Sequence, residues 1–331
     1  AQTQVFASEQ AQRGVVLTLV SNLATSYVAL RALDRQLEIA RATTANFEKT
    51  AHIFDLRYKQ GVVSKVEVMQ ITSQVQQAKA AIPLFEQAIA AQENLISLLL
   101  GRNPGPIPRG KTIDQLLAPV IPADLPSTLL ERRPDVLQAE QNLVAANANV
   151  GAARALYYPN ISLTGLLGTV STTFSDLFTG PSQAWRAGGS IAGPIFTFGA
   201  VKGQNASADA VREQALLGYQ QTILNAFRET NDALTGSALK ANELAEQQAR
   251  VAALRDFARL SNLRFENGMT SYIDVLVAEN ELFAAELASV RISAERQAQV
   301  INVSRAMGGG WVTTATNQAN NAPAKASASG G

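Results

Sequence analysis

Residues 56–101 align without a gap onto residues 263–308, at a constant offset of 207. Leu56-Arg57-Tyr58-Lys59-Gln60-Gly61 matches Leu263-Arg264-Phe265-Glu266-Asn267-Gly268. Ser64 matches Ser271, Glu67 matches Asp274, Val68 matches Val275 and Gly101 matches Gly308. In each copy a helical pattern reaches a single glycine and resumes beyond a serine three residues on. Glycine at a helix C-terminus takes the left-handed conformation without a Cβ penalty, and serine caps the next helix. Glu67 stands three residues after Ser64, which is capping-box spacing. Each copy therefore predicts an antiparallel helical hairpin with a tight tip.

Proline placement sets the lengths of these helices. None of the twelve prolines occurs before Pro83 or between Pro194 and Pro323, and seven lie between Pro104 and Pro134. Proline breaks helix interiors, so the clear regions suit long helices and the dense region a connector. A continuous helix from Gly203 to Glu266 runs roughly 95 Å at 1.5 Å per residue, which suits rods, bundles and tubes rather than a globule. The returning helix of the first copy carries a seam of Val68, Ile71, Val75, Ala78, Ile82, Phe85 and Ile89, then Ile96 and Leu99. Its spacings alternate three and four until Gln92, which predicts coiled-coil packing. The equivalent seam of the second copy carries Ser289, Arg296 and Gln299, so the first pair is expected to be more buried and the second more exposed.

Only one region between the repeats reads as β. Asn160 to Ser171 places Ile161, Leu163 and Leu167 on one face and Ser162 and Thr164 on the other. Trp185 to Phe196 is a second, glycine-rich run. Phe174, Phe178 and Trp185 fall between or beside the runs, and Tyr157, Tyr158, Phe196 and Phe198 at their far ends. Two strands of about ten residues with aromatics at both ends fit a membrane-spanning hairpin. Alternation alone leaves a soluble hairpin equally open.

The fold expected is mainly α: long antiparallel coiled-coil hairpins with one β-hairpin and a short connector. Its segments are a first hairpin over 1–101 with its tip near 61, and a Pro-rich connector over 102–126. A helix over 127–157 then leads to a β-hairpin over 158–198. A second helical hairpin over 199–308 has its tip near 268, and a disordered tail covers 309–331.

Composition excludes several function classes. A net charge of +1 provides no concentrated basic surface for nucleic acid. There is no cysteine and a single histidine, His52, so a typical zinc site is not expected. Arg132-Arg133 precedes Pro134 and a helix start and reads as structural. No nucleophile set, phosphate loop or cofactor fingerprint occurs, so no catalytic, cofactor or metal site is expected. Ala1-Gln2-Thr3-Gln4 is no leader sequence, and no unbroken run of 18 apolar residues occurs, so no membrane-spanning helix is expected.

A further set of motifs joins the two tips. These are Leu125-Pro126-Ser127-Thr128-Leu129-Leu130-Glu131-Arg132-Arg133-Pro134-Asp135-Val136, then Ala153-Arg154-Ala155-Leu156-Tyr157-Tyr158-Pro159-Asn160-Ile161-Ser162-Leu163. Gly193-Pro194-Ile195-Phe196 and Gly308-Gly309-Gly310-Trp311 complete the series. In this order, over nearly all of 1–311, the chain resembles the TolC-like outer-membrane efflux proteins, especially the lipoprotein branch called NodT-type.

The resemblance implies an α-barrel subunit that forms a homotrimer in the outer membrane of a Gram-negative bacterium, with its helices as a periplasmic tunnel. It implies a passive export duct for small molecules, coupled through a periplasmic adaptor (membrane fusion) protein to an inner-membrane pump. Gly61, Val62, Gly268 and Met269 are then the expected adaptor contacts. Glu67 and Asp274 are expected either at an acidic entrance ring or as first-turn residues favoured by the helix dipole. Tyr157, Tyr158, Phe174, Phe178, Trp185 and Phe196 are expected at the membrane interfaces. Two departures stand out. The family has a strand pair in each half, and the second is expected to precede Ala1, with any lipidated cysteine and signal peptide. Many relatives carry an acidic residue where Val277 stands and a tyrosine where Phe265 stands. The alternative is a soluble or periplasmic coiled-coil adaptor or scaffold.

Overall fold

The structure, a computed structural model, describes residues 2–116, 132–178 and 180–309. Among them the elements are α1 (Gln2–Lys59), α2 (Lys65–Leu99), α3 (Pro134–Ala155), β1 (Asn160–Thr169), β2 (Gln183–Ala192), α4 (Ala200–Glu266) and α5 (Tyr272–Ala306). Short 3-10 turns stand at Ile113–Gln115 and in the β1–β2 connection. Residues 117–126 of the connector, 127–131 of the expected third helix and 310–331 of the expected tail lie outside the described residues.

The chain divides into two compact units. The larger, Ala11–Pro134 with Leu224–Gly331, holds both tips and most of both helical hairpins. Arg41 and Lys79 bridge α1 to α2 through Glu86 and Glu48, both at 2.7 Å. Arg255 and Lys240 bridge α4 to α5 through Glu286 and Glu295, again both at 2.7 Å. In both sets the residue numbers rise on one helix as they fall on the other, so each pair is antiparallel.

The α2 seam is buried from Val68 through Ala78 and again at Ile96, and half-buried at Ile82, Phe85 and Ile89. Pro83 lies within this helix without ending it. It removes one N–H donor on the exposed face, where water can reach the carbonyl left free.

The burial contrast expected between the two pairs holds for the outgoing helices, where α1 buries more residues than α4, but runs the other way on the returning helices. Ten residues of α5 are buried against six of α2. The reason is that α5 has partners beyond its own hairpin: Gln36 of α1 donates to the Leu287 carbonyl, and Gln297 donates to the Leu116 carbonyl. A heptad register identifies one seam and is blind to a second packed face.

The described part of the Pro-rich segment is strapped down by charge. Arg109 pairs with Asp34 on α1 at 3.1 Å and with Glu93 on α2. Arg31 donates to the Lys111 carbonyl, and the Gly110 amide donates to the Tyr27 hydroxyl at 2.8 Å. Burial alone would raise the Glu93 pKa, but hydrogen bonds from Arg109 and the Ile107 amide hold it below the usual carboxylate range.

Arg133 plays the structural role expected of it. It is buried, pairs with Glu229 at 2.8 Å and donates to the Ala306 carbonyl at the end of α5. A cation there satisfies a free carbonyl and complements the helix dipole.

Helix α1 contains an 18-residue window apolar enough, by length and composition, to cross a membrane, with 33% of that window buried. Ser, Thr and Asn break its apolar runs, so a search for an unbroken stretch misses what the average detects.

The smaller unit comprises Ala1–Gln10 and Asp135–Ile223. Within it β1 and β2 pair antiparallel in one register, from Asn160↔Ala192 to Thr169↔Gln183. The second strand begins and ends earlier than the Trp185–Phe196 expected. Phe196 and Phe198 lie beyond it, and Trp185 lies inside it opposite Leu167. Gly193 faces Pro159 just past the first pair, where a Cβ would approach Pro159 Cβ to 2.9 Å.

Candidate functional site

Two features carry functional geometry: the helical tips and the β-hairpin. At the tips the repeat is reproduced almost atom for atom. Gly61 has φ 72° and Gly268 φ 71°. The Val62 amide donates to the Arg57 carbonyl and the Met269 amide to the Arg264 carbonyl, both at 2.9 Å. These bonds close a Schellman-type end in which the glycine alone takes the left-handed conformation. Val62 and Met269 project beside those glycines, both exposed.

The helix starts diverge. The Ser64 amide donates to Glu67 Oε2 at 2.7 Å and the Glu67 amide to Ser64 Oγ at 3.3 Å, completing the capping box. Ser271 has nearly the same backbone angles but makes no side-chain cap bond. Instead the Asp274 carboxylate accepts from Thr270 Oγ1. Glu67 and Asp274 thus sit at equivalent positions, one half-exposed and committed to a cap, the other exposed.

Beneath the tips the two hairpins share a core. Phe54 and Tyr272 are 1% and 2% exposed and pack with Phe47, Val68, Ile71, Val75, Val275 and Leu276. Phe265 stacks on Phe54 at 5.9 Å between centroids and meets Tyr272 edge-on at 5.1 Å. Phe265 therefore works as an apolar ring in this cluster, with Arg57 over its face. Burial, and then the nearby charge of Glu279, push the Tyr272 phenol far above its ordinary range. Glu279 itself is raised by burial, against a hydrogen bond from Asn262. It lines a cavity of about 320 Å³ with Arg35, Glu38, Asn46 and Glu286. Sequence reading misses this cluster, because its two halves come from hairpins far apart in the chain, Phe54 on one and Phe265 and Tyr272 on the other.

The β-hairpin buries almost nothing. Its odd-numbered face carries Ile161, Leu163, Leu167, Trp185 and Ile191, with Leu163 88% and Leu167 86% exposed. The other face carries Ser162, Thr164, Arg186 and Ser190, the two serines joined Oγ to Oγ at 2.8 Å. Phe174 and Phe178 stand exposed at the turn, and Tyr157, Tyr158, Phe196 and Phe198 exposed at the helix end. Phe198 has φ 48° and is fully exposed, followed by Gly199 at φ 88°. A left-handed aromatic with nothing to pack on is strained without return inside this chain. Each strand of ten residues runs roughly 34 Å. A lone two-stranded ribbon with an apolar face is marginal in water. Length, face segregation and aromatic ends all match a transmembrane β-barrel strand pair.

Paired helical tips joined to a ribbon of this kind define an outer-membrane channel-type chain, and comparison with known proteins agrees. The family model described as "Outer membrane efflux protein" matches residues 1–102 and 125–309. The chain belongs to the outer membrane efflux protein family, and so to the outer membrane. It is 34% identical over 308 residues to the cation efflux system protein CusC of Escherichia coli, covering 92% of this chain and 67% of that protein. It is 33% identical over 309 residues to the toluene efflux pump outer membrane protein TtgF of Pseudomonas putida, covering 93% of this chain and 64% of that protein. The chain thus spans about two thirds of the length of these relatives. A crystal structure of CusC superposes with a TM-score of 0.85 at 33% identity, over 93% of this chain and 72% of that one. The family membership favours the channel over the adaptor or scaffold alternative.

Proposed function

We propose that this chain is a subunit of an export channel of a tripartite efflux pump, a passive duct for small molecules that performs no covalent chemistry. The observation that carries this reading is the wholly exposed apolar face of the β-hairpin, joined through α3 and α4 to helices that end in bare tips. Three copies would bring their strand pairs together in a barrel in the lipid and set their helices side by side as a periplasmic tunnel. The relatives support it: one is a component of a cation efflux system, another the outer membrane protein of a toluene efflux pump.

In this reading Gly61, Val62, Gly268 and Met269 meet a periplasmic adaptor, which links the duct to an inner-membrane transporter. An exposed valine and methionine at a tip are suited to a partner's apolar groove. Glu67 and Asp274, near the open end, attract cations into the entrance. Tyr157, Tyr158, Phe174, Phe178, Trp185, Phe196 and Phe198 anchor the ribbon at the two lipid–water interfaces. Expression of the full-length precursor, membrane fractionation and particle imaging test the proposal. Membrane-embedded trimers with a hollow axis are expected, and a soluble monomer without a tube would defeat it.

A further inference from the structure

Arg186 is the only charged residue in either strand of the ribbon. It pairs in register with Leu166 and shares its face with Ser162, Thr164 and Ser190, opposite the face of Leu163, Leu167 and Trp185. Apart from Leu166 opposite, its neighbours on that face are small: Ala184 and Gly188 flank it on its own strand, and a Cβ built at Gly168 or Gly188 would meet nothing within 4 Å. The Arg186 side chain is exposed. A charge cannot stay on a lipid-facing surface without heavy cost, and the apolar face already identifies which side meets lipid. The same alternation therefore turns Arg186 to the water-filled interior.

We infer that Arg186 forms a ring of positive charge inside the barrel, near its outer mouth, and sets the channel's preference between anions and cations there. This inference rests on the channel reading above. Arg186 lies three residues into β2 from the turn, about 10 Å along the strand. The turn is the end remote from α3 and α4, so the ring sits on the outer side when the helices are periplasmic. Rings of arginine favour anions in pores, and a low-dielectric wall focuses their field. A unit charge about 7 Å from a passing ion alters its local concentration roughly three-fold even at the dielectric of water. The ring opposes the re-entry of cations at the outer end and favours the exit of anions.

The test is the reversal potential of the assembled full-length channel in planar bilayers under a potassium chloride gradient, at low salt to limit screening. Arg186→Gln should raise the cation-to-anion permeability ratio at least about two-fold. Arg186→Glu should raise it further, and Arg186→Lys should retain the wild-type value. Equal ratios in conducting wild-type, Arg186→Gln and Arg186→Glu channels would overturn the assignment and leave the duct intact. Wild-type trimers that carry no current at all would instead defeat the channel reading on which it rests.

Discussion

The rings of Phe54 and Tyr272 meet at 4.3 Å between centroids, tying the first hairpin's outgoing helix to the second hairpin's returning helix. Both are almost fully buried, so the two tips share one core and cannot loosen independently.

Phe54→Ala should therefore cost about 3–5 kcal/mol, the usual range for removing a buried phenylalanine. Hydrogen exchange would show the loss at both tips, including the amides around Val275 in the other repeat. Loss of protection confined to α1 and α2 would contradict the shared core.

At the hairpin base, Gly193→Val places a Cβ against Pro159 Cα and Cβ, at 3.0 and 2.9 Å. Overpacking of this kind costs about 1–3 kcal/mol. The expected result is a smaller share of protein in the outer-membrane fraction. Gly188→Ala, in open space within β2, should leave that share nearly unchanged.

Glu279 gives a pH dependence of definite sign. Burial raises its folded pKa above the ordinary 4.5, so the folded chain holds the proton more tightly than the unfolded chain. Stability linked to this group is complete below the unfolded pKa and is lost as pH rises through the folded one. Glu279→Gln should raise the thermal midpoint at neutral pH, and the advantage should shrink as pH falls towards 4.5. A constant difference across that window would count against the assignment.

Gly268 lies in the left-handed region at φ 71°, and a Cβ there would meet nothing within 4 Å. The cost of a substitution is therefore conformational alone. Gly268→Val should destabilise the tip by about 1–2 kcal/mol and weaken export while trimers persist. Gly268→Asn, which tolerates this conformation better, should retain more export. Unchanged export in both would remove the tip from the proposed adaptor contact.

The repeat makes the tips legible in the sequence alone: its two glycines share a conformation to within one degree in φ. Proline-free stretches likewise mark α1 and α4, because a missing donor and a ring clash are local effects. Pro83 shows the limit of that rule, since one exposed break is tolerated where the seam continues on both sides. The aromatic cluster of Phe54, Phe265 and Tyr272 is not legible, because periodicity reveals which face is buried but not what buries it. Alternation sets Trp185 at the edge of its strand rather than inside it, since the glycines of β2 blur the pattern that would mark its start. Phe198 reads in the sequence as one more aromatic, and its left-handed backbone becomes visible only in the structure.

In the proposed channel one face of the ribbon meets lipid and the other a water-filled interior, and the proposal depends on that division. The sequence contains no cysteine, so single cysteines at residues 161 to 167 can carry spin labels in the reconstituted protein. Collision with oxygen and with a water-soluble nickel chelate should alternate with period two. Leu163→Cys and Leu167→Cys should favour oxygen, and Ser162→Cys and Thr164→Cys the chelate. Equal chelate accessibility at all positions would place the ribbon in water and contradict the account.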